Sequence, residues 1–361
     1  MNRFFLFWLA IVISLTLFPL GTIFALEPGE SIILNPTTGN YDITYIDTIK
    51  NGVKVLVHAR YFPATKIDPS ISSNFQLVDQ VTIRFTYTVG SRPQSRQLLT
   101  AFRLNLTGKV AGSQDLPDLQ TITQAQVYSV LEANKAALAT PAGWRSDIST
   151  YEDGASISWN SINSTMGIQA RGQLKGFGFD SQALPGLGEA QFEGKRDAIN
   201  GYAGEGPDPD SDIARQIQAL DDNDYVPRNA AVPAIAVPNP FDAAVLLDRI
   251  RSHVTTWPGK QLLDPAYAAQ LDRYLAAAAD AYRLNNSEAG KEQIETIRKM
   301  LEKEHKYLDH DDEDQDDTTE HKAATRLTID RLAARVLDFD LRYVLKRMEH
   351  GRDEDERKRE R

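Results

Sequence analysis

The sequence predicts an α+β chain of two domains, an N-terminal antiparallel β-sandwich and a C-terminal small α-helical bundle. Three observations predict it. From Ser31 to about Gly194 the apolar residues mostly alternate or run in short β-branched and aromatic stretches. After Pro240 they recur at steps of three and four. Between the two, residues 195–240 hold six prolines among Gly, Asp and Asn, the composition of a linker.

Residues 1–25 come first. Met1-Asn-Arg3, an apolar run from Phe4 to Leu20, a break at Pro19–Gly21 and a small residue at Ala25 follow the order of a secretory signal peptide. Export to an extracytoplasmic compartment (secreted, cell surface or periplasm) is the expectation. Membrane attachment would come only through an uncleaved N-terminal segment.

In the 31–194 domain, Val53–Tyr61, Val81–Val89 and Leu98–Leu106 read as strands. Turn signals separate them at Pro36–Gly39, Lys50–Gly52, Gly90–Pro93 and Asp153-Gly154. Thr123–Leu138 interrupts with helical spacing, Thr123 being placed to cap it. Gly143-Trp144, then Ile157-Ser-Trp159, then Gly176-Phe-Gly-Phe179 and a Leu184-Pro-Gly186 turn complete the domain. These residues resemble a β-sandwich region of uncharacterised exported bacterial proteins. The resemblance implies a fold and a compartment, not an activity.

The 241–349 domain opens with capping side chains before proline at Asn239-Pro240 and Asp264-Pro265. Ala244, Leu247, Ile250 and Val254 form the inward stripe of the first helix. Tyr267, Leu271, Tyr274, Leu275, Ala278 and Tyr282 form that of the second. A third helix follows Ser287 with Ile294, Ile297, Leu301 and Leu308 inward. A fourth follows Thr318-Thr319 with Ile329, Leu332, Val336, Phe339 and Tyr343 inward. Phe241 through Leu275, the Asn285-Asn286 break and Ile294 through His305 resemble the helical FIMAH domain of exported bacterial proteins. An acidic insert after Tyr307 departs from that pattern. The closing segment 350–361 mixes both charge signs without apolar residues and reads as a solvated, disordered tail.

Composition removes several chemistries. The chain has no cysteine, which excludes disulfides, thiolate catalysis and iron–sulfur clusters. A net charge of −10, with no basic stripe interleaved with aromatics, makes nucleic acid an unexpected partner. No G-x-S-x-G elbow, phosphate-cradling loop or dinucleotide fingerprint is present.

The most distinctive local pattern is the acidic loop 309–320. Asp309, Asp311, Glu313, Asp317 and Glu320 stand at the oxygen-donating positions of a twelve-residue Ca2+ loop. Asp314 occupies the place of the turn glycine, which leaves a solvated loop and loose calcium capture as alternatives. His305, His310 and His321 flank the run and have the chemistry of transition-metal ligands. A second acidic set, Asp208–Asp212 with Asp221–Asp224, reads as turn-forming before calcium-binding. His58 reads as a sheet histidine, and Trp144 and Trp159 as core before sugar platforms.

No catalytic residues or cofactor follow from these patterns. The reading is a non-enzymatic envelope or surface protein that binds a polysaccharide or a protein partner. The alternatives are a polymer hydrolase with carboxylates on sandwich loops and a calcium-binding helical module.

Overall fold

The computed structural model describes residues 26–49, 52–105, 138–151, 154–163, 165–196, 207–305 and 328–359. The signal-like segment, most of the expected helix at Thr123–Leu138 and the acidic run 309–320 lie outside them. Among the described residues the chain is mixed α and β, with three antiparallel sheets, and it divides into two compact units. One comprises Met1–Pro63 with Asp197–Asn223; the other comprises Ala64–Arg196 with Asp224–Arg361.

In the first unit, β1 (Ser31–Asn35), β2 (Asn40–Ile49) and β3 (Val53–Tyr61) form a meander. Alternation puts Ile43 and Tyr45 of β2 on the same face as Ala59 and Tyr61 of β3. Helix α1 (Asp212–Asp222) covers that face with Ile213, Ile217 and Leu220, spaced four and three apart. Ser211 caps α1 by accepting the Ala214 N–H at 3.2 Å.

In the second unit, β10 (Leu184–Gly194) and β11 (Val226–Ile235) join β6 (Leu99–Asn105), β8 (Gly154–Ser161) and β7 (Trp144–Tyr151) in the order β11-β10-β6-β8-β7. A second sheet has the order β4-β5-β9, from Pro69–Leu77, Ile83–Ser91 and Gln173–Ser181. Aromatic side chains link the two sheets. Tyr87 packs on Trp159 at 6.4 Å, and Phe177 meets Phe102 at 4.9 Å and Trp144 at 5.2 Å.

Among the described residues, four α-helices belong to the same unit: α2 (Ala243–Val254), α3 (Pro265–Arg283), α4 (Ser287–Glu304) and α5 (Arg331–Arg359). Their predicted inward stripes are buried at Leu247, Ile250, Leu271, Leu275, Ile294, Ile297, Leu301 and Val336. These residues join the same apolar cluster as the strands. Phe339 of α5 meets Phe75 of β4 edge-on at 5.1 Å, and Arg335 lies over the same ring. Among the described residues, no helix is long and apolar enough to cross a membrane.

Four expectations need correction. Residues 195–240 are not a linker, because they contain α1 and β11. Strand β11 pairs with β10 from Val226 to Ile235 despite Pro227 and Pro233. It lies at the edge of its sheet, where a residue without an N–H is tolerated. Leu184-Pro-Gly186 opens β10 rather than making a turn, with a register shift at Leu184/Pro185 absorbing the proline. The first and last helices start at Ala243 and Arg331 instead of near Pro240 and Thr319. Asp242 accepts the Val245 N–H, and Asp330 accepts those of Leu332 and Ala333, and these bonds fix the starts. Finally, α5 runs to Arg359, so most of 350–361 continues a helix.

Candidate functional site

The five acidic residues proposed for calcium, Asp309, Asp311, Glu313, Asp317 and Glu320, lie outside the described residues, as do His310 and His321. The ends of that segment are fixed. His305 Nε2 donates to the Ile329 carbonyl at 2.9 Å, and the Thr328 hydroxyl donates to Glu304 at 2.7 Å. The buried Tyr267 hydroxyl has no partner among the described residues. Burial and the nearby Glu304 charge push its pKa up to about 12.

The other acidic set is spent on local structure. The Asp208 side chain accepts the Asp210 N–H at 3.0 Å, and Asp212 pairs with Arg215. Asp224, almost fully buried, takes the Ala64 N–H at 2.8 Å and Arg196 at 3.3 Å. His58 stands exposed on β3, 3.0 Å from the Thr44 hydroxyl. Trp144 and Trp159 are core residues, 5% and 0% exposed, and neither offers a platform for a sugar ring. Among the described residues, no three His, Cys, Asp or Glu side chains gather as a metal site.

A buried polar constellation surrounds His253, which the sequence reading did not single out. Among the described residues, strand β6 pairs with β10 from Ala190 to Gly194. Leu187 lies further back on β10, beyond that pairing. Its N–H is donated instead to His253 Nε2, in the last turn of α2, at 2.9 Å. An accepting Nε2 places the ring proton of the neutral imidazole on Nδ1. That Nδ1 is buried without a partner, as is Nε1 of Trp257, whose ring stands edge-to-face to the imidazole at 5.7 Å.

Burial first, and the Lys260 charge second, lower the His253 pKa from 6.5 to about 4. Burial also lowers the pKa of Lys260, with Glu189 opposing it. Gly186 makes the approach of helix to strand feasible. A Cβ there would sit 2.4 Å from Ala234 Cβ and 2.5 Å from His253 Nε2. A histidine with one nitrogen bonded to the backbone and the other buried has no lone pair for a substrate proton. Its chemistry is that of a lock between α2 and β10.

A second buried group follows the same pattern. On α5, Asp338 pairs with Arg298 and Arg342, each at 2.9 Å. Asp340, 1% exposed, has a carboxyl oxygen without a partner. Burial, then the charge of Asp338, hold its pKa well above the usual carboxylate range. No protein-family model, curated protein or solved structure matches the chain.

Proposed function

We propose that the chain is an extracytoplasmic binding or framework protein, in which a β-sandwich and a FIMAH-like helical layer present surfaces to a polysaccharide or protein partner. One observation carries the reading: His253, a histidine whose pKa the fold perturbs, is walled into the core and spent on a backbone N–H. Asp340, on the buried side of α5, supports it in the same way. The signal-like start of the sequence supplies the compartment.

The test is to incubate residues 26–361 with insoluble cell-wall polymers and follow both retention and soluble product. Retention without product is the expected result. Turnover would contradict the reading and favour carboxylates on sandwich loops as a hydrolase site.

A second reading is favoured by the neck at Glu304, His305, Thr328 and Ile329, which holds both ends of the acidic segment together. A loop closed at its base has already met part of the entropy cost of gathering carboxylates around Ca2+. A thermal melt in chelator and then in millimolar calcium decides it, with Asp309→Asn, Asp311→Asn, Glu320→Gln as the control variant. At a hundred times its dissociation constant the ion would add about 2.7 kcal/mol. No shift would leave the run a solvated loop.

A further inference from the structure

We propose that one end of the second unit is a docking surface for a linear phosphate polyanion, which adds a further class of partner to the binding reading and rests on it. Five segments, 64–68, 90–98, 167–172, 193–196 and 224–228, meet there. The Arg92 N–H donates to the Asp68 carbonyl at 2.8 Å and the Arg96 N–H to that of Lys66 at 2.8 Å. The Arg171 N–H donates to the Ser91 carbonyl at 2.6 Å, and the Lys195 N–H to that of Leu98 at 2.7 Å. Arg228 Nη2 donates to the Asp68 carboxylate at 2.9 Å and brings in the last segment.

These segments carry seven lysines and arginines against three acids, in a chain whose net charge is −10. The acids are already matched: Asp68 by Arg228 at 2.9 Å, Asp224 by Arg196 at 3.3 Å, and Glu193 by the same Arg196 at 4.0 Å. Arg92, Arg96 and Arg171 are exposed, and the described residues offer them no ion pair. Three unneutralised guanidinium groups on loops tied by backbone hydrogen bonds concentrate positive potential where the rest of the chain is acidic.

Arg171 adds an independent sign. It holds φ at 69°, a conformation that suits glycine or asparagine, yet the position carries a long cation. The guanidinium fork matches phosphate oxygens in a bidentate manner. The Arg171 N–H bonds to the carbonyl of Ser91, next to Arg92, so the loops adjoin, and a ligand that meets all three cations carries several anionic groups, as a chain of phosphates does.

The experiment uses residues 26–361 and long-chain inorganic polyphosphate, with binding read by fluorescence anisotropy at low salt. The variant Arg92→Ser, Arg96→Ser, Arg171→Asn removes the surface and keeps a residue that accepts positive φ. Arg103→Ser, Arg145→Ser, Lys299→Ser removes the same charge from exposed, unpaired positions elsewhere. The first variant should bind about tenfold more weakly, as three exposed charge contacts imply. The second should bind like the wild type, and a melt should show both folded.

Equal losses in the two variants, or no binding by the wild type, would overturn the proposal. Tighter binding of duplex DNA lost in the same variant would overturn it too, by naming nucleic acid as the partner. Shortening of bound polyphosphate would leave the surface standing and sink the non-catalytic reading. Retention on cell-wall polymers without polyphosphate binding would do the reverse.

Discussion

His253 accepts the Leu187 N–H only while Nε2 carries no proton, so the lock between α2 and β10 depends on pH. The sign follows from the two states. The folded pKa of about 4 lies below the ordinary 6.5, so the unfolded chain binds the proton more readily. The contribution is fully present above about pH 6.5 and is lost as pH falls toward 4, amounting to about 3 kcal/mol over that window. Urea unfolding of the wild type and His253→Gln at several pH values checks this. The wild type should lose stability through that window and the variant should lose less. A histidine titrating at its ordinary pKa by NMR would contradict the geometry. Gly186 belongs to the same joint, because any side chain there would meet His253 and Ala234 at once.

At the scale of elements, the helix caps carry the most local information. Asp264 accepts the N–H groups of Ala266 and Tyr267, with Pro265 in the first helical position. Asp264→Ala should cost about 1 kcal/mol, measured as a lowered denaturation midpoint with an unchanged slope. This cap was legible in the sequence, as were the buried stripes of α2 to α4, because a cap and a period are local signals.

Strand β11 was not legible. Its prolines read as breakers, and only its place at a sheet edge, a tertiary fact, makes them harmless. Helix α1 hid in the same stretch among Gly, Pro and Asp. The candidate site was less legible still. His253 lies one residue before Val254 on a helical stripe, and nothing in the sequence says that the Leu187 N–H of β10 waits for it. The basic end escaped for a similar reason, since its arginines come from segments far apart in the chain.

In the second unit as a whole, strands and helices share one apolar core. Phe75 of β4 under Phe339 and Arg335 of α5, His253 on Leu187, and Arg335 donating to the Ser73 carbonyl at 3.3 Å are its joints. Helices that bury their stripes against sheets should not fold without them. The most direct measurement is the thermal melt of an isolated segment, residues 241–361, followed by circular dichroism beside that of residues 26–361. The account predicts low helix content and no cooperative transition in the segment, against a cooperative transition in the longer chain. A sharp melt of the segment with native-like helix content would contradict the shared core and restore an independent helical bundle.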